Sequence, residues 1–439
     1  MKKPRGRAKH PPLLIHPMTI TIPYGHNSLS LDIPDGNISG ILLPNTRVSQ
    51  LSPSMILQAL ERPIGSPPLR SFVSSRSRVA ILCEDITRPT PLDILLPYLL
   101  NELHRVRVPK ENILILFALG SHRPMSPEEM RAKLGPSIYE NYQIANSEFR
   151  DPSKLVYVGT TQSGVDIYID KRVVDADVKI GVGSIFPHPV AGYTGGAKIL
   201  YPGVAGEKTV AQFHLSGALV SKNLFGEIEN PVREEMETWV SRVGLDFIVN
   251  TVLTTTGEIY QVVAGHYIQA HRQGVHFCQE LYAIKVRDVA DAVIVSSSPA
   301  DLDFWQAGKA IMAAEKIVKT GGTIILVTPC YEGVGPHDSF LRFCAREDVG
   351  DLLVAAQKGE LSPEDVLPLS VAALLHYVRK RAEIIIISDG LKRDDIEKTG
   401  FKYFSDIHDA VEYVFVRHGV NAKIYVIPYG GHTYPMLTK

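Results

Sequence analysis

Apolar residues in this chain fall into short unbroken runs that alternate with stretches of helical spacing. Val79-Ala80-Ile81-Leu82-Cys83, Asn112 to Phe117 and Val178 to Gly183 are continuous runs of the kind expected of strands covered on both faces. Leu95 to Val106 has helical spacing, and Ser126-Pro127-Glu128-Glu129 is a helix start with proline at the first helical position. Before these, Met18 to Ile41 alternates and is broken by Pro23, Gly25, Pro34 and Gly36, which predicts a small β-meander, and helical spacing follows around Ser54 to Leu60. After them, Gly206 to His214 is helical in pattern, Asn230-Pro231 begins another helix, and Leu245 to Val263 reads as two strands joined at Thr256-Gly257. From about Val286 the pattern restarts. Strands at Asp291–Val295, Thr323–Val327, Glu383–Ile387 and Lys423–Ile427 alternate with helices at Trp305–Val318, Val371–Arg381 and Ile407–Val416, which predicts a Rossmann-like parallel sheet.

The fold class expected is therefore α/β, with two domains, each around a mainly parallel sheet flanked by helices, and the active site in the cleft between them. A chain of 439 residues is too long for one ordinary core, which agrees. The expected division is 1–17 as a basic, disordered tail, 18–286 as an N-terminal domain carrying the catalytic and cofactor-binding groups, and 287–427 as the Rossmann-like domain. The closing segment 428–439 is a candidate to rejoin the first domain.

Charge and cysteine content narrow the function classes. Lys and Arg number 46 against 47 Asp and Glu, so no basic field invites nucleic acid. No stretch reaches the ~20 apolar residues of a membrane helix, and the basic start leads into Pro11-Pro12 instead of a secretory apolar segment. Cys83, Cys278, Cys330 and Cys344 lie far apart without a Cys-x-x-Cys pair, which fits a reducing, cytoplasmic setting.

The candidate chemistry gathers where strands end. Phe186 to Gly203 follows a predicted strand and holds His188, Lys198 and the glycines Gly192, Gly195 and Gly196, with prolines fixing the path. It does not meet the Gly-x-x-x-x-Gly-Lys-[Ser/Thr] phosphate motif. The two earlier strands end at Asp85 with Thr87 and Arg88, and at His122 with Arg123. Exits of neighbouring parallel strands lie side by side, so these clusters are expected to share a site. Asp85 and Arg88 can form a bare structural ion pair, yet Arg88 between Thr87 and Pro89 is well suited to bidentate capture of a carboxylate. Gln306 and Lys309, three apart on a helix, share a face and can point at an anion across the cleft. Pro202 and Gly203 interrupt the path from Lys198 to His214, so these two meet only if the helix folds back over the loop. His266, His271 and His276 rotate by roughly 140° from one to the next on a helix, do not converge, and are read as surface residues.

Taken together, Asp85-Ile86-Thr87-Arg88-Pro89-Thr90-Pro91, Gly120-Ser121-His122-Arg123-Pro124, Pro187-His188, Ala191 to Lys198, Pro202-Gly203, His214, and Gln306 with Lys309 resemble, in order and spacing, the nickel-pincer-nucleotide-dependent lactate racemase family. The resemblance runs from about residue 20 to the C-terminus and implies a 2-hydroxyacid racemase or epimerase. It implies that Lys198 carries the pincer nucleotide through a thioamide bond and that His214 ligates its nickel. It also implies His122 and His188 as paired acid and base, and Arg88, Gln306 and Lys309 as the grip on the substrate carboxylate. Asp85 and Thr87 are assigned to positioning the cofactor or Arg88, and Gly195 and Gly196 to binding the cofactor. The partner expected is a small-molecule 2-hydroxy acid. Two other readings stay open on the residues: a zinc-dependent hydrolase using His122, His188 and His214, and a non-catalytic cofactor-binding protein.

Overall fold

The apolar run that ends at Glu84 forms the strand Val79–Glu84, buried at every position. In the computed structural model, which describes residues 17–45, 53–120, 122–162, 164–220 and 222–438, this strand lies inside a six-stranded sheet. Val178–Ser184 is its parallel neighbour on one side and Ile113–Ala118 on the other, with Cys83 opposite Val182 and Glu84 opposite Ala118. The three strands therefore end nearly level, and their exits face one another along a single edge. Outward from these, Gln143–Asn146 pairs with Ile113–Ala118, while Phe247–Leu253 pairs in parallel with Val178–Ser184 and holds the antiparallel edge strand Ile259–Gly265.

A second six-stranded sheet is built from Lys402–Tyr403, Glu383–Ile387, Val318–Val327, Ala290–Ser296, Ile424–Ile427 and Ile38–Ile41, in that order and all parallel. The helix Phe304–Glu315 is capped by the Asp303 carboxylate, which accepts from the Gln306 N–H at 2.7 Å, and apart from Lys309 it is buried throughout. The sequence pattern gave this helix within a few residues. It missed the first part of helix Pro363–Arg381, where Pro368 lies inside the helix and disguises it. No helix among the described residues is long and apolar enough to cross a membrane.

The sheets do not divide the chain at one point. Ile38–Ile41, expected inside the 18–286 unit, is the edge of the second sheet, next to Ile424–Ile427. The hairpin of Pro17–Tyr24 and Asn27–Pro34 packs Ile20, Ile22, Leu31 and Ile33 into a cluster with Ile294, Ile325, Val411 and Val414. The physical reason is coverage: the helix Ile407–His418 alone leaves part of that apolar face open, and the hairpin closes it. At the other terminus, Tyr434–Leu437 pairs in parallel with Ala283–Val286. Pro17 already belongs to the first strand, and the rest of the expected basic tail lies outside the described residues.

Candidate active site

A cavity enclosing roughly 1000 Å³, open mouth included, lies at the strand ends of the first sheet and is closed over by the second half of the chain. It is lined by Asp85, Arg88, His122, His188, Gly195, Lys198, His214, Gln306 and Lys309, so nearly every residue singled out in the sequence meets here. Thr87 stands just behind the wall, and Gly196 is turned away from it.

The Asp85 cluster differs from the simple ion pair considered above. Asp85 Oδ2 accepts from His122 Nδ1 at 2.5 Å, while its Oδ1 accepts from the Thr87 N–H at 3.0 Å and the Thr87 hydroxyl at 2.6 Å. Burial works against the charge on Asp85, but His122, Arg88 and the Thr87 hydroxyl outweigh it and hold the carboxyl well below the usual range. Arg88 donates to the Thr87 hydroxyl at 2.8 Å and to Gln306 Oε1 at 3.3 Å. Gln306 Oε1 also accepts from Lys309 Nζ at 2.5 Å, which turns the Gln306 amide nitrogen toward His122 Nε2, 3.1 Å away. His122 is thus addressed from both sides: an acceptor at Nδ1 and a donor at Nε2. Its ring carries the proton on Nδ1 and presents a lone pair at Nε2, and burial pushes its pKa down, favouring that neutral form.

His188 has the opposite arrangement. Its Nδ1 accepts from the backbone N–H groups of Val190 and Ala191, each at 3.1 Å, so the neutral ring carries its proton on Nε2. Burial, and then the charges of Lys198, Lys309 and Arg88, push its pKa well below the ordinary value. The loop that holds His188 is clamped from beneath by groups the sequence reading did not single out. Arg233, fully buried, donates to the carbonyls of Ala191 at 2.7 Å and of Tyr193, and Asn230 Nδ2 donates to the Val190 carbonyl at 2.8 Å. His271 is a correction: far from being a surface residue it is wholly buried and bonds through Nε2 to the Thr194 carbonyl at 2.9 Å. One face of helix Gln269–Tyr282 lies beneath the loop, and rotation along the helix, which separates the three histidines, turns this one inward. Gly196 has φ near +59°, and a Cβ there would sit 2.8 Å from the His271 ring, so only glycine fits.

Lys198 and His214 line the same cavity. Among the described residues nothing forms a hydrogen bond or ion pair with Lys198 Nζ, and burial, then Arg88, push its pKa down to about 7. A good fraction is the free amine at neutral pH, able to act as a nucleophile. On helix Glu207–Leu219, His214 donates from Nδ1 to the Val210 carbonyl at 2.8 Å, and burial pushes its pKa down to about 3. Its Nε2 lone pair is left for a ligand, with the backbone carbonyl fixing the ring as in many metal-binding histidines. A reactive amine and a free imidazole nitrogen lining one cavity are a donor set that fits a group anchored covalently at one point and through a metal at another.

Among the described residues no three His, Cys, Asp or Glu side chains stand together in a way that could hold a metal ion. The zinc alternative lacks its donor set, since His188 accepts backbone N–H bonds at Nδ1 and so carries its proton on Nε2, leaving no lone pair there for a metal. Glu84 is a cavity residue that the sequence reading passed over. It is buried, accepts from Thr90 at 2.5 Å and from the Ser184 N–H at 2.9 Å, and burial pushes its pKa up. The apolar run hid it, as the last residue of a strand.

Comparison with known proteins agrees with this layout. Residues 24–225 match the family model of the lactate racemase N-terminal domain and residues 286–432 that of the lactate racemase C-terminal domain. The chain is 31% identical over 423 residues to the lactate racemase of Thermoanaerobacterium thermosaccharolyticum, covering 94% of this chain and 97% of that one. It is 31% identical over 424 residues to the lactate racemase of Lactiplantibacillus plantarum, covering 94% and 98%. The structure of the T. thermosaccharolyticum lactate racemase apoprotein superposes with a TM-score of 0.86 at 30% identity, covering 95% of this chain and 100% of that one. A Thermotoga maritima protein, at 20% identity and a TM-score of 0.67, covering 88% of this chain and 99% of its own, shares the fold.

Proposed function

The chain belongs to the lactate racemase family, and on that premise we propose that it inverts the hydroxylated α-carbon of a 2-hydroxy acid by moving the Cα hydrogen as hydride. Membership makes it an isomerase of the racemase class. The finer reading rests chiefly on one observation: His122 and His188 line one cavity with opposite proton placement, a free lone pair at Nε2 of the first and a proton at Nε2 of the second.

Loss of the Cα hydrogen as a proton would place a second negative charge beside the carboxylate, so removal with its electron pair is the easier path. A nickel-pincer nucleotide, held by the Lys198 amine and by His214 Nε2, would supply a reversible acceptor for that hydrogen and its bonding electrons. Everything else falls to the chain's own groups. Arg88, Gln306 and Lys309 grip the substrate carboxylate, exchanging their mutual hydrogen bonds for bonds to its oxygens. His122 Nε2 takes the hydroxyl proton as the Cα–H bond breaks, and Asp85 stabilises the imidazolium that forms. The planar keto acid turns while its carboxylate stays held. As the hydrogen returns to the other face, the His188 Nε2–H hydrogen-bonds the carbonyl oxygen and the proton held by the His122 imidazolium is returned to that oxygen, so both rings end neutral as they began.

Single-enantiomer hydroxy acids incubated with cofactor-loaded protein and resolved by chiral chromatography test this. The expected result is interconversion by the unaltered protein and none by His122→Ala or His188→Ala. Interconversion that survives the double replacement removes the two-histidine scheme.

A further inference from the structure

The cavity has two unlike sides. Its charged and hydrogen-bonding groups come from the strand ends of the first sheet and from Gln306 and Lys309. The remaining wall, supplied by Trp305, Met312, Phe340, Leu374 and Leu375, offers no charge, and its aliphatic and phenyl surface is buried, with Phe340 1% and Leu375 2% exposed. On helix Phe304–Glu315 the positions 305, 308, 309 and 312 share one face, so the lysine of the carboxylate grip is flanked by Trp305, Gly308 and Met312.

Gly308 is the informative residue. It sits inside a helix, where alanine is favoured, and most buried glycines here are held by crowding: a Cβ on Gly181 or Gly274 would come within 2.6 or 2.2 Å of a neighbour. A Cβ on Gly308 would meet only Leu375, at 3.6 and 3.9 Å, which is ordinary contact. Packing within the chain does not demand a glycine at this place, and the space it leaves opens into the cavity. Gln306, Gly308 and Lys309 all line the cavity, and Gly308 lies beside Lys309 on the stripe of Trp305 and Met312, so a carboxylate held at Lys309 leaves this notch within reach of the Cα substituent, two bonds away.

We propose that the notch between Gly308 and Leu375 seats the Cα substituent, and that the substrates are 2-hydroxy acids bearing an apolar group larger than methyl, branched aliphatic in class. The proposal rests on the racemase reading above. Substituents with a second carboxylate or several hydroxyls are disfavoured, because a polar group against this wall gives up water without gaining a partner.

Calorimetric binding of 2-keto acids to the cofactor-loaded protein tests the pocket without turnover, with chiral chromatography of the matching hydroxy acids run beside it. 4-Methyl-2-oxopentanoate should bind about tenfold or more tighter than pyruvate, in line with what added methylenes contribute in a fitted apolar pocket. Gly308→Ala should fold as well as the parent and bring that ratio close to one. Leu375→Ala should shift preference toward phenylpyruvate. Equal or tighter binding of pyruvate, or a ratio that ignores both replacements, overturns the proposal. If the loaded enzyme racemises lactate without preferring the branched keto acid, the pocket assignment falls and the racemase reading stands. If the preference is found but no hydroxy acid is interconverted, the reverse holds.

Discussion

Asp85→Asn separates the orienting role of this carboxylate from its bulk. Asp85 now meets three donors, His122 Nδ1 at 2.5 Å and the Thr87 N–H and hydroxyl at 3.0 and 2.6 Å. An asparagine has one acceptor oxygen. With that oxygen left to the two Thr87 donors, the amide NH₂ faces His122 Nδ1, which must become the acceptor, and the ring proton moves to Nε2. There it confronts the Gln306 amide N–H₂ at 3.1 Å, and the lone pair that should take the hydroxyl proton is gone. Turning the amide over instead sets its N–H₂ against both Thr87 donors, leaving buried groups unpaired at ~1–3 kcal/mol. Either way the base is lost or misplaced, so kcat is expected to fall by roughly 10²- to 10⁴-fold, the range for general-base and tautomer-fixing groups. KM should move little, since Arg88, Gln306 and Lys309 are intact. Initial rates from each pure enantiomer, followed by chiral chromatography at saturating substrate, give both constants, and the thermal midpoint reports folding. A folded Asp85→Asn protein with kcat within a few-fold of the parent would refute this account of the site.

Other outcomes follow from the same geometry. Lys198→Met should show no covalent increment by intact mass and no racemisation. Because the folded protein resists protonating Lys198, whose pKa is about 7, the replacement should also stabilise cofactor-free protein, by a margin that grows as pH falls from the ordinary lysine pKa of ~10.4 and levels off below about 7. His214 behaves alike at lower pH: with its folded pKa depressed to about 3, stability is lost as pH drops below ~6.5 because the unfolded chain takes up a proton that the folded chain refuses. In cofactor-free protein, His214→Phe should therefore flatten the decline of Tm between about pH 6.5 and 5, and an unchanged slope counts against the buried neutral imidazole. Arg233→Met orphans the carbonyls of Ala191 and Tyr193 and removes one of the cations on Glu237, so urea titration should show a loss of ~3–5 kcal/mol.

Much of the layout was legible in the sequence because central parallel strands announce themselves: Val79–Glu84 and Val178–Ser184 are buried at every position and read as unbroken apolar runs. Once those runs are neighbours, Asp85, His122 and His188 must converge, and the resemblance supplied Lys198, His214, Gln306 and Lys309. What escaped notice depends on long-range packing. Nothing local to Arg233 or His271 reveals that the loop carrying His188 rests on them, since a charged residue on an amphipathic helix looks the same whether it faces water or a ring of carbonyls. The proton positions of the two histidines were equally hidden, because they follow from which atoms stand at Nδ1. Ile38–Ile41 was misplaced for a related reason, as a four-residue strand carries no mark of the sheet it will join.

That small strand has a consequence for how the molecule is made. Ile38–Ile41 leaves the ribosome early and its neighbour Ile424–Ile427 near the end, so the second sheet gains its last edge only when synthesis is almost complete. Until residues from Ala292 onward have been made, the hairpin before it lacks the apolar surface it lies on. A fragment started near residue 287 would have neither piece, leaving a bare strand edge open to self-association. The chain is buckled like a belt, its leading end fastened onto the half that is born last.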